Sequence, residues 1–484
     1  MSMQVRESKP SVGGYVVIGA IAVLVRLAMA LWAPGEGGDT SGYLTIALNI
    51  VENGCVSLSE PAAAECEPDW GGNQLPGYPA FIALIWAIFG ISEIAVRVAQ
   101  ALVVVGAGLW LVHAVARYTG SWRAALLVGL VMALSPLRLA WPRLALTETL
   151  ALATTMWVLA ELLLSLAERR LRIWTIAIAL AFAVFVRYDG VLLCFAVAFC
   201  AFVIHGPKRA LLRGGAIALI LALPVLAWVA RSADSGLGYV PMIWSASVGG
   251  PANGGFVSWA RTWSAHEYDY PKWAYPLYKQ RYSKIRIDDR AFDDEEERVH
   301  VARLLRELAR FDGEPFPAHV NTAFAAIAAE RRARDPLRHW AWIPLRRAAN
   351  MWFNPYSSFG WPLEVPNALR DTVRGAGLGG IVAAIAEHPL IAAGKVLVSG
   401  YRFLLAIGFA AAGAYAIRRR ERYLIPLLGI ATIILVARTV FFSGTALMEA
   451  RYIMEAVPGL EIVAVLGLWE VWRRRRQVLQ PASF

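Results

Sequence analysis

Four places in this chain set ionisable residues at the rims of apolar runs, where a charge is costly to keep unless it has a use. Asp39 and Tyr43 follow the first run, within Gly37-Gly38-Asp39-Thr40-Ser41-Gly42-Tyr43. Arg138, Arg143 and Glu148 fall in the turn 137–148, and Arg187, Tyr188 and Asp189 in a later one. Glu449, Arg451 and Tyr452 precede the last run. Between the first two groups comes a proline and aromatic motif, Asn73-Gln74-Leu75-Pro76-Gly77-Tyr78-Pro79. A carboxylate beside fixed cations suits one kind of group transfer. The nucleophile gives its proton to the carboxylate, and an anionic leaving group such as a phosphate is held as it departs.

The elements that must position these residues are membrane helices. Of 484 residues, 58% are hydrophobic and 17% charged, and the mean hydropathy is +0.50. That is too apolar for a soluble enzyme of this length, so an all-α polytopic membrane protein is expected. The net charge of +11 is not a nucleic-acid signature. Residues 232–388 hold 19 Lys/Arg against 18 Asp/Glu, leaving the excess, 28 against 18, in the apolar parts. There it clusters at the ends of runs, as positive-inside orientation requires, and the 19 tryptophans add an interfacial signature.

Orientation then fixes the count. Residues 34–73 contain seven acids and no Lys or Arg, which puts that segment outside and the N-terminus inside. The run 75–89 is shorter than the roughly 20 residues a span needs and begins with two prolines, so it is expected to be interfacial or re-entrant. Spans at 14–32, 93–117, 124–136, 148–168, 173–187, 191–205, 214–230, 389–417, 423–442 and 453–472 then alternate so that every strongly basic loop lands inside. Ten spans result, with three parts: residues 1–231 as an N-terminal catalytic module with its first external loop (34–92), 232–388 as a mixed, mainly helical periplasmic domain, and 389–484 as C-terminal helices. The segment 232–388 is too long for a connecting loop. Its residues 299–308 and 319–334 carry helical periodicity. The aromatic stretch from Trp259 to Tyr278 suits either a domain core or a sugar-facing surface.

Cys55 and Cys66 share the external segment after the first span, and a disulfide between them is expected in an oxidising compartment. Cys194 and Cys200 lie in an apolar run and read as packing residues.

An Asp/Tyr pair after the first span, a proline and aromatic motif on an external helix, an acid in the next external turn and a late Arg-Tyr pair together resemble the polytopic glycosyltransferases of the GT-C class. The likeness is strongest to the lipid-A aminoarabinose transferase and protein O-mannosyltransferase group. The resemblance implies an inner-membrane enzyme that moves a sugar from a polyprenyl-phosphate-linked donor to a glycan, lipid or protein acceptor on the periplasmic side, with inversion. It matches Asp39 to the catalytic acid, Glu148 to a second-loop acid that is usually Asp, and Arg451-Tyr452 to the late basic/aromatic pair. A Lys that precedes the proline pair in the aminoarabinose group is replaced here near Gln74. Phosphate binding is therefore expected from Arg143, Arg187 or Arg451, and substrate contacts from Tyr43, Gln74, Tyr78, Asp189 and Tyr452. No cofactor is implied, and a divalent metal requirement stays open.

The same residues have plainer uses. Asp39 is a favoured N-cap type, Glu148 suits a first helical turn, Arg187 and Asp189 make a local ion pair, and Arg451 suits an interface anchor. Arg26, Arg97 and Arg438 read as snorkelling or packing residues. Gly375-Ala376-Gly377-Leu378-Gly379-Gly380 has dinucleotide-loop spacing but no strand pattern before it. The seven histidines show no close pair with metal-ligand spacing, and His266-Glu267 with Asp269 reads as a polar loop. A transporter or lipid flippase is the alternative function, disfavoured because no internal repeat is visible.

Overall fold

The computed structural model describes residues 12–32, 39–59, 75–234, 253–354, 377–445 and 449–479. No strand occurs among them. The chain divides into two compact units: Met1–Ser245, Pro355–Val436 and Met454–Phe484 form the first, and Ala246–Asn354 with Ala437–Ile453 form the second. Among the described residues, seven helices are long and apolar enough to cross a membrane, and the all-α, multi-pass expectation is borne out.

The first unit contains α1 (Val12–Trp32), α2 (Thr40–Asn53), α3 (Gly77–Phe89), α4 (Glu93–Thr119), α5 (Trp122–Leu134), α6 (Glu148–Glu168), α7 (Ile173–Val186) and α8 (Leu193–Asp234). Local chemistry sets their ends. Ser92 and Ser121 cap α4 and α5 by accepting from the backbone N–H of Ala95 and Ala124, and α4 stops at Gly120 with φ +65. Gly206, at φ +71 and followed by Pro207, breaks α8. The chain folds back there: Leu221, Val225 and Trp228 pack with Val184, Phe185 and Tyr188 near the start of α8. The break falls between the expected spans 191–205 and 214–230, beside the basic residues Lys208, Arg209 and Arg213.

Contacts between helices show which ends lie together. At one end, Thr40 donates to the Ala145 carbonyl, Gln100 to that of Leu144 and Arg231 to that of Val56, while Arg187 pairs with Glu148. At the other, Tyr118 donates to the Tyr423 carbonyl, Tyr423 to Glu470 at 2.7 Å, and Thr175 to Glu161 at 2.6 Å, while Arg474 pairs with Glu421. The basic clusters flanking Arg172 and Arg474 sit at this second end. The strongly basic turns therefore gather at one end of the helices, opposite the end that carries Asp39, Glu148 and Asp189, as the expected alternation requires.

The short helix α3 stays at the first end. Its Tyr78 donates to Gln100 at 2.9 Å, while its Trp86 reaches back to the Ser92 carbonyl at 3.1 Å. It therefore folds against the opening turns of α4 instead of traversing. Thirteen residues give about 20 Å, against a hydrocarbon core of about 30 Å. Gly77 permits this docking, because a Cβ there would lie 2.4 Å from the Phe185 carbonyl oxygen at the end of α7.

The rest of the first unit includes α14 (Gly377–Glu387), α15 (Pro389–Arg419) and α17 (Val457–Leu479). The helix α16 (Leu424–Thr445) passes from the first unit into the second.

The second unit is built from α9 (Gly254–Ala260), α10 (Tyr270–Tyr278), α11 (Glu295–Leu308), α12 (Ala318–Arg334) and α13 (Ile343–Phe353). The periodic segments 299–308 and 319–334 fall within α11 and α12. Asp294 caps α11 by accepting from the Glu297 N–H, and acids fill its first turn. Much of the aromatic stretch is core. Phe256, Trp259, Trp263, Tyr270 and Trp273 are buried with Phe324, whereas Tyr275 and Tyr278 are exposed. Arg331 is buried too, pairing with Glu297 at 2.5 Å and donating to the Ala291 carbonyl.

Two histidines of this unit have depressed pKa values. Burial, and then Arg338, lowers that of His339; burial, and then Arg290, lowers that of His266. Folding thus favours the neutral rings, and the unfolded chain binds more protons below its own imidazole pKa of about 6.5. The contribution is fully present above that pH and is lost as pH falls through the lowered folded values. Hydrogen exchange across residues 254–353 of the full-length protein is expected to be faster at about pH 5.5 than at about pH 7.5 after correction for intrinsic rates. Equal protection at both would refute this.

Candidate functional site

Asp39 stands one residue before α2, is exposed, and makes no side-chain capping bond. The capping role that its residue type allows is therefore not the one it plays. The start of α2 is held elsewhere: Thr40 donates to the Ala145 carbonyl at 3.3 Å, and the Tyr43 ring meets Tyr78 edge-on, with centroids 5.1 Å apart. Tyr43 and Tyr78 belong to one apolar cluster with Ile82, Leu146 and Leu150. The segment after α1, the proline and aromatic motif and the turn 137–148 are thereby packed together.

Gln100 organises this junction. It is fully buried, accepts from the Tyr78 hydroxyl at 2.9 Å, and donates to the carbonyls of Pro142 and Leu144 at 2.9 and 2.7 Å. Those two carbonyls straddle Arg143, which ends the 3₁₀ turn Trp141–Arg143 and is itself buried. One amide thus fixes the backbone that presents Arg143. Gln100→Leu leaves the Tyr78 hydroxyl and two carbonyls without this partner, at about 1–3 kcal/mol for each group left unsatisfied. A lowered Tm is expected, and Tyr78→Phe with Gln100→Leu should cost less than the two single losses added together. Strict additivity would show that the Tyr78–Gln100 bond contributes nothing.

A second cluster centres on Arg187, the residue at which α7 ends in extended backbone. Its guanidinium pairs with Asp189 at 3.1 Å, Glu148 at 3.5 Å and Glu455 at 3.5 Å, and donates to the Thr147 hydroxyl at 3.2 Å. All three carboxylates are buried. Glu148 opens α6, Asp189 lies in the 3₁₀ turn Tyr188–Leu192, and Glu455 lies in the turn before α17. The structure thus joins Glu148, Arg187 and Asp189 at the end that also carries Asp39, Tyr43, Tyr78 and Arg143.

Other sequence candidates go elsewhere. Arg138 forms a buried pair with Glu461 at 2.5 Å, and Tyr401 donates to the same carboxylate at 2.7 Å. Arg26 donates to the carbonyls of Met132 and Ala133, both at 3.1 Å, and borders a small cavity of about 30 Å³ with Arg138 and Met156. Arg97 pairs with Glu93 at 2.6 Å. These arginines are buried, so packing and not snorkelling describes them. Arg451 and Tyr452 belong to the second unit. There Arg451 pairs with Glu449 and lies over the Tyr452 ring, which stacks on Phe442, and the Tyr452 carbonyl accepts from Arg438 at 2.9 and 2.7 Å. Gln74, Cys66, Gly375 and Ala376 lie outside the described residues. Cys55 is disulfide-bonded, while Cys194 and Cys200 are free thiols.

No group of three His, Cys, Asp or Glu able to hold a metal occurs among the described residues. Asp269 instead accepts from the backbone N–H groups of Ala265 and His266 and pairs with Arg290, which makes that motif a structured turn.

Residues 73–228 match the family of dolichyl-phosphate-mannose-protein mannosyltransferases. That family lies in the GT-C class, and the kinship expected from the sequence is borne out over this segment. It contains Tyr78, Gln100, Arg143, Glu148, Arg187 and Asp189. No curated protein sequence matches the chain. Among solved structures, ArnT from Cupriavidus metallidurans bound to undecaprenyl phosphate aligns at 16% identity with a TM-score of 0.41, covering 96% of this chain and 78% of that one. The Archaeoglobus fulgidus oligosaccharyltransferase, tethered to an acceptor peptide by a disulfide, aligns at 14% identity with a TM-score of 0.43, covering 97% of this chain and 51% of that one.

Gln100, Glu455 and Glu461 were not singled out in the sequence. A signal existed, since each is a polar side chain within a hydrophobic run, and such residues mark either a site or its support.

Proposed function

We propose that the protein is a membrane glycosyltransferase that transfers a sugar from a polyprenyl-phosphate-linked donor to an acceptor at the end carrying Asp39, and that this end faces the periplasm of a bacterial inner membrane. One observation carries the reading: the family match spans the segment that supplies most of the polar cluster. The family is described by a lipid-phosphate-linked sugar, and a carboxylate beside arginines is what such a donor requires.

In this reading Asp39 takes the proton of the acceptor nucleophile as its lone pair attacks the anomeric carbon. The bond from that carbon to the phosphate oxygen breaks, and the electron pair leaves with the polyprenyl phosphate. Attack opposite the leaving group inverts the configuration. Arg143 and Arg451 are the residues proposed for phosphate binding. Arg187, already engaged with Asp189, Glu148 and Thr147, suits fixing those carboxylates and joins the phosphate only by exchanging a partner. Tyr43, Tyr78, Gln74, Asp189 and Tyr452 are proposed for substrate contact, and residues 232–388 as the periplasmic domain. Cys66 is proposed as the partner of Cys55; a non-reducing peptide map without that linked pair would remove the proposal.

The purified protein in liposomes is expected to convert a polyprenyl-phosphate-linked sugar to free polyprenyl phosphate and a glycosylated acceptor. Movement of the intact lipid-linked sugar between leaflets, with no cleavage across a panel of donors and acceptors, would replace this reading with that of a flippase.

A further inference from the structure

The second unit carries an apolar face that its own core does not use. The π-helical turn Arg338–Trp342 runs directly into α13. His339, Ile343, Arg347 and Met351, spaced by four, form the buried side of this stretch. Its other side exposes Leu337 (75%), Trp340 (72%), Trp342 (56%), Leu345 (60%) and Phe353 (43%). A helix covering a core in water needs one apolar side and presents polar residues on the other. Here the exposed side carries five large apolar residues, while the buried side sets His339 and Arg347 beside Ile343 and Met351, and an exposed patch of this kind marks a contact surface.

The way the helix is pinned decides what covers the patch. Trp352 donates to the Thr439 hydroxyl at 3.0 Å, and Arg347 donates to the carbonyls of Ser443 at 2.9 Å, Ser264 at 2.8 Å and Arg261 at 2.5 Å. Arg261 in turn donates to the Thr445 carbonyl at 3.2 Å. Burial lowers the Arg347 pKa to about 9. Thr439, Ser443 and Thr445 are the last two turns of α16, a helix long and apolar enough to cross a membrane.

The 22 residues of α16 span about 33 Å, close to the thickness of a hydrocarbon core. Thr439 lies about 9 Å before the end of the helix. The stretch therefore sits at the boundary between acyl chains and water. Val436 and Val440, in the same part of α16, are also exposed (50% and 64%). Tryptophan with flanking arginine is the composition of that boundary: Arg332 lies 5.8 Å from the Trp340 ring centre, and Arg346 is exposed beside the patch.

We propose that Leu337, Trp340, Trp342, Leu345 and Phe353 form a lipid-docking face, with residues 337–353 lying in the headgroup layer of the bilayer beside α16. Phospholipid headgroups and upper acyl chains are its occupant. An interfacial helix of this type buries its apolar side by about 5–10 Å, the depth between Thr445 and Thr439. The proposal is independent of the transferase reading, since it rests on α16 and its neighbours alone.

The test uses the full-length protein in phosphatidylcholine/phosphatidylglycerol liposomes, with Cys194→Ala and Cys200→Ala as background. Trp340→Cys and Leu345→Cys each receive an environment-sensitive fluorophore, and Glu330→Cys on the exposed side of α12 serves as the control. Labels at 340 and 345 are expected to emit at shorter wavelength than the control. They should lose intensity with lipids carrying a nitroxide near the headgroup, and less with one deep in the acyl chain. Quenching by aqueous iodide equal to that of the control would overturn the proposal. So would shielding from both iodide and nitroxide lipids, which would assign the face to a protein partner or a second copy. Leu345→Cys retains Trp340, so failure of Trp340→Cys to fold leaves the test standing.

Discussion

Asp39→Asn is expected to lower the initial rate of sugar transfer by about 10²–10⁴-fold, the usual contribution of a positioned general base, while leaving Tm and donor binding unchanged. An amide has the shape of the carboxylate and cannot take a proton from the acceptor. The stability half of this expectation comes from geometry. The side chain is exposed and makes no capping bond to α2. The helix is held by Thr40 on the Ala145 carbonyl and by the Tyr43 and Tyr78 rings. Asp39→Glu keeps the base but moves it by one methylene, and a misplacement of about 1 Å costs on the order of 10²-fold. A rate within a few-fold of the parent for Asp39→Asn would exclude it as the base. A fall in rate accompanied by a fall in Tm would instead give Asp39 a structural role.

The rims of the spans were legible in the sequence because charge at the end of an apolar run is a one-dimensional signal. Asp39, Arg143, Glu148, Arg187 and Asp189 could all be found that way, and their gathering at one end followed from counting alternations. The short run 75–89 was legible for the same reason, since counting it as a span would put every strongly basic loop on the outer side. The partners were not. Gln100 acts on residues more than forty positions away, and Glu455 reaches Arg187 from the other end of the chain. No local period marks such pairs, because they are created when helices pack. Arg138 shows the converse error: it stands beside Arg143 in the turn yet points to Glu461 on α17, which no spacing rule could select. Within the second unit the amphipathic pattern located α11 and α12, whereas the apolar side of residues 337–353 became meaningful only once Trp352 and Arg347 were seen to rest on α16.

Arg187→Met is expected to destabilise the first unit by about 3–5 kcal/mol, the cost of removing one member of a buried ion cluster. Arg187 is almost wholly buried, and its guanidinium is the shared partner of Glu148, Asp189 and Glu455. Without it three buried carboxylates lose their common counter-charge, and each must ionise at a higher cost or take up a proton. The loss also unties three elements, since those acids belong to the start of α6, the turn after α7 and the turn before α17. Arg187→Lys retains the charge but not the planar fork that reaches several acceptors at once, so its Tm should fall between those of Arg187→Met and the parent. Adding Glu455→Gln to Arg187→Met removes one of the abandoned charges and should recover part of the loss, a coupling that a double-mutant cycle reads directly. Thermal unfolding followed by tryptophan fluorescence in detergent measures these variants, Glu455→Gln alone and the parent. If Arg187→Met melts with the parent, Arg187 is not what holds the acids. Its proposed place would then revert to the donor phosphate, where loss of activity at unchanged Tm is the signature.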